Sequence, residues 1–420
     1  MSQLAIAGGQ PVRTAPYPPW PIYDERDEAA VLEVVRSGRW GGYPEPGPKA
    51  AAFAEKFAAM QNARFGIGCT NGSVSLSTSL QAAGVTWGDE VIVPAYTFVA
   101  TAWAPLAAGA VTILADIDPE TLCLSPTAIE QAITERTKAI IPVHVGGLIA
   151  DMDAIMEIAR RHNLIVIEDA AHAHGARWRD RGVGSIGHFG SFSCQSSKVL
   201  TSGEGGIILT NEEAYAEACH SLIDCGRPKD SEGKKYHFGA NFRLPELQAA
   251  LLLVALERLE AQTVKREENA TYLDERLNSI PGVHPQKVDE RVTRRAVYGY
   301  IFRFDRPAFA GLDARIVGEG LRAEGIECGA GWPPMYREPL FQPNADNSPV
   351  YRNFPERLNL AEMFLPVCEE VAKDAIWVSH RPFLGGQQEM DDIAEALLKV
   401  QEQAEALRDL ALAKGHEPVP

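Results

Sequence analysis

The chain has no C-x-x-C pair among its seven cysteines (69, 123, 194, 219, 225, 328, 368), and so odd and scattered a set fits neither a disulfide framework nor a zinc knuckle. They read as reduced, mostly buried fillers. No apolar run approaches the ~18 residues of a spanning helix, and the stretch Met1–Gly9 has no basic segment leading into an apolar one. No membrane partner is expected, and the cytoplasm is the expected location. Positive charge is in deficit: 40 Lys and Arg stand against 56 Asp and Glu, a net −16 that repels nucleic acid. An anionic small molecule would need its countercharge supplied locally, by Arg, Lys or helix N-termini. No repeat of fixed period and no low-complexity tract occurs, which sets solenoids and propellers aside.

What is present is an ordinary soluble composition, 45% hydrophobic and 23% charged over 420 residues, enough for a large α/β domain with a second, smaller lobe. From about residue 65 to 210, short apolar runs alternate with helical-period segments. The expected strands are Arg64–Cys69, Glu90–Pro94, Val111–Ala115, Lys138–Val143, Leu164–Ile167 and Gly206–Thr210. Between them lie helices starting at Gly72 and spanning Phe98–Ala108, Pro126–Thr134 and Met152–His162. This is βαβ grammar and predicts a mostly parallel sheet covered by helices on both faces. A long helix follows from Leu244 to about Asn278, with Leu247, Ala250, Leu251, Val254 and Ala255 on one stripe. Beyond it come strands near Tyr298–Phe304 and Ala375–Ser379 and helices at Ala314–Glu324 and Met390–Leu407. The expected organisation is an N-terminal arm and first helix over 1–48, a large α/β domain over 49–270 and a small C-terminal domain over 271–420. The segment Pro16–Pro48 carries seven prolines and two tryptophans, so the arm is expected to lie over something, with a second subunit as the candidate.

The densest chemical signal is Ser191-Phe192-Ser193 followed by Ser197-Lys198-Val199-Leu200-Thr201-Ser202-Gly203-Glu204-Gly205-Gly206. Most lysines are solvated surface residues. One set among hydroxyls ahead of a glycine-rich turn can instead form a Schiff base with a carbonyl cofactor. Upstream, Glu168-Asp169-Ala170-Ala171-His172-Ala173-His174 follows a buried strand, at the end where ligands gather in open α/β sheets. A carboxylate there can hold a pyridine nitrogen protonated; capping the next turn is the bland alternative. Glu168, His172 and His174 would be a rival zinc set, but H-x-H without a third His in a recognised spacing carries little weight. Asn71-Gly72-Ser73 turns a strand into a helix whose free amides can hold a phosphate, although any capped helix looks the same. Pro94-Ala95-Tyr96-Thr97-Phe98 offers aromatics to cover a flat ring, or simply core. Gly182-Val183-Gly184-Ser185-Ile186-Gly187 matches G-x-G-x-x-G, but it lacks the strand before and the helix after, and is expected to be a turn.

Taken in order, T-N-G-S at 70–73, P-A-Y-T-F at 94–98, P-V-H at 142–144, E-D-A-A-H at 168–172, the 191–206 segment and N-F-R-L-P-E-L-Q-A-A at 241–250 resemble the DegT/StrS family of sugar and cyclitol aminotransferases, over nearly the whole chain. The resemblance implies the fold-type I plan of pyridoxal-phosphate enzymes, an α/β fold with a mostly parallel central sheet and a smaller C-terminal lobe. It implies pyridoxal 5'-phosphate bound through Lys198, with Asp169 beside the pyridine nitrogen and His172 near the phenolic oxygen. By the same resemblance Gly72, Ser73 and Ser193 form the phosphate cradle and Phe98 stacks on the ring. Asn241 is then the residue that reaches the phosphate in the neighbouring subunit of a homodimer with shared sites. Within the family, the segments at 172–178, 225–228 and 379–381 look most like keto-cyclitol aminotransferases and aminohydroxybenzoate synthases.

The implied function is amino transfer from an amino acid, with L-glutamine expected, to a ring ketone such as scyllo-inosose or 2-deoxy-scyllo-inosose in aminocyclitol or antibiotic biosynthesis. His144, Tyr336 and His380 are the candidates to line the acceptor pocket, each also readable as a packed residue. The alternatives are a nucleotide-linked keto-sugar aminotransferase, an aminohydroxybenzoate synthase-like enzyme, or a non-enzymatic regulator. The dehydratases of the family carry His in place of the lysine, and Lys198 argues against them.

Overall fold

The computed structural model describes residues 3–43, 46–228 and 237–416. Met1, Ser2, Pro44 and Glu45 of the expected arm, and residues 417–420 of the expected C-terminal domain, lie outside the described residues. The centre is a seven-stranded sheet whose order across its width is 65–69, 206–210, 189–193, 165–169, 137–140, 90–94 and 111–115. Gly206–Thr210 runs antiparallel to both neighbours, and every other pair is parallel. Glu90–Pro94, Phe189–Ser193 and Gly206–Thr210 are buried at every position, as expected of strands covered on both faces.

Local chemistry explains the helix starts. Asn71 caps Gly72–Ala82 by accepting from Val74 N, and Asp151 caps Met152–His162 by accepting from Ala154 N. The latter helix ends on Asn163 at φ 53°, a left-handed position that asparagine tolerates. Three expectations are corrected. The strand expected to stop at Ile167 runs Ile165–Asp169, because Glu168 and Asp169 still pair laterally with Gly190 and Ser191. The helix expected over Met390–Leu407 is two, Gln387–Glu402 and Ala404–Ala413, broken at Gln403 (φ −110°, ψ 18°). Of the stripe expected on the long helix, observed as Glu246–Asn278, only Ala250 is fully buried; Leu247, Leu251, Val254 and Ala255 are half-buried.

That helix serves two apolar cores. Ala249, Leu252 and Leu259 belong to the one around the large sheet, while Ala270, Leu273 and Leu277 belong to the other. The second core packs helices against an all-antiparallel sheet ordered 283–285, 299–304, 375–379, 328–330. Residues of the arm are tied to the small lobe and to the lysine loop of the same chain. Leu4 enters the second core, and buried Arg13 pairs with Asp392 (2.7 Å) and Glu389 (3.1 Å). The Trp20 indole N–H donates to Ser196 O at 3.1 Å. Cysteines 69, 123, 194, 219 and 368 are buried and none of the seven is paired, while Cys225 is exposed. Among the described residues no helix is long and apolar enough to cross a membrane.

Candidate active site

Glu168 and Asp169 end a central strand, so successive side chains leave it on opposite faces. Asp169 is buried and, among the described residues, accepts two hydrogen bonds, from Thr101 Oγ1 (2.8 Å) and from Ala171 N (3.2 Å), and is bonded to no cation. Burial therefore raises its pKa, against the Thr101 and Ala171 bonds and the nearby Lys198 charge. Beside it the helix Gly72–Ala82 begins, and the amides of Gly72 and Ser73 are used by no hydrogen bond among the described residues. A Cβ on Gly72 would stand 2.8 Å from Cβ of Ser193, so only glycine lets this helix start approach the strand end carrying Ser193.

Lys198 sits in the loop joining Phe189–Ser193 to Gly206–Thr210, its N–H bonded to Gln195 O at 2.8 Å. Its Nζ lies 4.3 Å from the ring centroid of Tyr298. His172 stacks on the same ring at 4.1 Å with an interplanar angle of 19°, and the Tyr298 hydroxyl meets Ser197 Oγ at 3.1 Å. His172 is buried with its Nδ1 unpartnered, and burial followed by the Lys198 charge holds its pKa well below the usual imidazole range. Trp332 and Trp377 flank it with centroids at 5.9 and 6.1 Å. An open cleft of about 440 Å³ lies alongside, walled by Trp20, Ser197, Tyr298, Glu327, Trp377 and His380. The large lobe thus gathers Lys198, Asp169 and His172, with Gly72 beside Ser193, while His380 of the small lobe walls the cleft with both its ring nitrogens engaged, by Arg266 Nη2 and Ser197 O, which corrects it as a substrate ligand.

Of the other expected site residues, Phe98 caps the helix Val99–Ala107 one turn before Thr101 and is 54% exposed, and Asn241 is exposed with no side-chain hydrogen bond among the described residues. His144 is corrected as a pocket residue: it is fully buried, with Nε2 on Glu168 (3.1 Å) and Nδ1 accepting from Ala150 N (3.2 Å). Tyr336 is corrected likewise, its buried hydroxyl donating to Glu369 (2.8 Å) and accepting from Leu365 N (3.0 Å). His144 has no ring nitrogen left for a substrate, and the Tyr336 hydroxyl already donates its proton to Glu369. The G-x-G-x-x-G stretch is a turn whose Gly184, Ile186 and Gly187 amides all donate to Glu168, at 2.7–2.8 Å. Sequence reading missed Thr101, Tyr298, Trp332 and Trp377. Thr101 follows the P-A-Y-T-F motif by one helical turn and was within reach; the three aromatics come from the small lobe and carry no local signal.

The model of the DegT/DnrJ/EryC1/StrS aminotransferase family matches residues 21–394. A Streptoalloteichus tenebrarius protein with the provisional name L-glutamine:3-amino-2,3-dideoxy-scyllo-inosose aminotransferase is 44% identical over 416 residues, 97% of this chain and 100% of that one. An L-glutamine:2-deoxy-scyllo-inosose aminotransferase of Micromonospora echinospora is 38% identical over 415 residues, 95% of this chain and 98% of the other. The crystal structure of 3-amino-5-hydroxybenzoic acid synthase superposes with a TM-score of 0.82 at 33% identity, over 93% of this chain and 100% of that chain. With the family model matched over residues 21–394 and a 44% identical relative covering 97% of the chain, the chain belongs to the DegT/DnrJ/EryC1/StrS aminotransferase family.

Proposed function

We propose that this aminotransferase moves an amino group from L-glutamine to the ring ketone of a scyllo-inosose-type cyclitol, using pyridoxal 5'-phosphate held between Asp169 and Lys198. The observation that carries the chemistry is Asp169, a buried carboxylate with no bonded cation, under the influence of the Lys198 charge. The observation that carries the substrate class is 44% and 38% identity to aminotransferases named for glutamine and an inosose.

The residues fit the cofactor. The unused amides of Gly72 and Ser73, at a helix start kept open by the missing Cβ, suit a phosphate. The unpartnered His172 Nδ1 offers a polar contact at the ring's edge. Bound there, pyridoxal phosphate would supply a carbonyl carbon for the amine and a ring that withdraws electrons. Lys198 Nζ would anchor it covalently and, once displaced by the donor, act first as base and then as acid. Asp169 would keep a proton on the ring nitrogen, and the walls of Tyr298, Trp332 and Trp377 would exclude water. The exposed Phe98 and Asn241 fit a homodimer in which Asn241 reaches the neighbour's phosphate.

Borohydride reduction of the cofactor-loaded protein is expected to leave a stable label on Lys198; peptide mapping that finds it on another lysine overturns the assignment. L-Glutamine is expected to convert the bound cofactor to its amine form. The two ring ketones named for the relatives should then restore it faster than a nucleotide-linked keto-sugar does. The reverse ranking moves the acceptor to the nucleotide sugars and leaves the Lys198 assignment intact.

A further inference from the structure

Arg266, on the long helix, is 1% exposed, and no carboxylate pairs with it among the described residues. Its Nε and Nη1 have no hydrogen-bond partner, and burial lowers its pKa to about 9. A buried guanidinium so poorly compensated opposes folding and calls for a reason. Its one hydrogen bond runs from Nη2 to Nδ1 of His380, at 3.3 Å, and its Cζ lies 5.2 Å from the Trp20 ring centroid. On the other side of the imidazole, Nε2 lies 3.1 Å from the carbonyl oxygen of Ser197. A guanidinium only donates and a carbonyl only accepts. His380 must therefore offer its lone pair at Nδ1 and its proton at Nε2.

We propose that Arg266 is a positioning residue for Lys198: it fixes His380 in the Nε2–H tautomer, and that proton holds the Ser197 carbonyl in the peptide group from which Lys198 begins. The proposal rests on the reading of Lys198 as the reactive amine. The arm completes the grip, since Trp20 donates to the preceding carbonyl, Ser196 O, and sets its ring edge-on to His380 at 4.6 Å. A hydroxyl or amide in place of the guanidinium would offer both donor and acceptor and leave both tautomers open; Arg266 offers donors alone. Burial, and then the Arg266 charge, holds the pKa of His380 down at about 3, so the ring remains the neutral acceptor that this arrangement needs.

The imidazole tautomer is readable without the cofactor, by nitrogen NMR of the histidine-labelled full-length chain. The parent is expected to show His380 protonated at Nε2. Arg266→Met is expected to mix the tautomers and let His380 titrate at higher pH. An Nδ1–H signal in the parent, or an unchanged tautomer and titration in the variant, overturns the proposal, and the parent spectrum decides even if the variant does not fold. In the cofactor-loaded enzyme, Arg266→Met is expected to lower kcat about 10- to 100-fold through misplacement of the amine, with KM for L-glutamine little changed. His380→Gln, which keeps an acceptor and a donor, should retain more of kcat than His380→Leu. Equal losses in that pair, or an altered tautomer with undiminished kcat, overturn the positioning role. A borohydride label on a lysine other than 198 would instead overturn the reading on which it rests.

Discussion

Glu168 and Asp169 are adjacent carboxylates on one strand end, yet the regions they enter are built on opposite principles. On the Glu168 side, Gly184 N, Ile186 N, Gly187 N and His144 Nε2 all point at the carboxylate, and His144 spends its other nitrogen on Ala150. Every polar atom of that carboxylate is matched, so Glu168 is closed into scaffold. On the Asp169 side the carboxylate receives two donors among the described residues, while His172, near the Lys198 charge, leaves its buried Nδ1 without a partner there. Buried polar groups are matched almost everywhere in folded proteins, so groups left unmatched beside the lysine mark the place where something must come in.

The comparison is broken most directly at Glu168. Glu168→Ala strands four donors in a dry pocket and is expected to cost about 3–5 kcal/mol in urea unfolding of the cofactor-free chain. Turnover per folded molecule should fall far less. An unchanged urea midpoint would mean that the closed pocket is not scaffold. Asp169→Asn is expected to do the reverse, cutting turnover about 10²- to 10³-fold by removing the fixed charge at the reacting ring. The cofactor-free chain should at the same time gain stability at neutral pH. The folded pKa of Asp169 is raised, so above it the ionised carboxylate opposes folding, a charge the amide does not carry. A less stable Asp169→Asn chain in urea would contradict the open-site reading.

A smaller effect sharpens the contrast. His174 and His380 have pKa values held down at about 3, and that of His172 is also well below the usual range, burial being the first cause in each case. Unfolded imidazoles take up protons near pH ~6.5. Stability from these three groups is therefore full above about 6.5 and drains as the pH falls toward about 3. Asp169, whose pKa is raised by burial, acts in the opposite sense but is one group against three. Urea midpoints of the cofactor-free chain between neutral and mildly acid pH should decline, and His174→Leu should flatten the decline by removing one proton uptake. An equally steep decline in that variant would mean that His174 is not held neutral by the fold.

Much of this was legible in the sequence because it is local. Glu90–Pro94, Val111–Ala115, Gly206–Thr210, Ala375–Ser379 and Met152–His162 have the bounds that their apolar runs and caps predict. The Asn71-Gly72-Ser73 turn and the Lys198 loop could be read as chemistry because each follows a strand whose end faces the ligand side of a parallel sheet. Polarity misled where a strand carried function, since two carboxylates looked like a strand end and are in fact paired into the sheet. His144 and Tyr336 misled because a polar side chain in a motif does not disclose whether its partners lie in the core.

The sequence by itself determined the βαβ order, the helix starts and the placement of Asp169 and of the Lys198 loop beyond strands of the large sheet, because hydrogen-bond periodicity and turn chemistry act over a few residues. Only the tertiary structure decided that Tyr298 packs against both Lys198 and His172, that Trp20 from the arm and His380 from the small lobe grip the carbonyls before Lys198, and that Arg266 enters the interior. Those pairings join residues a hundred or more positions apart. They exist only once two cores and one shared helix have brought the chain's distant parts to the same cleft.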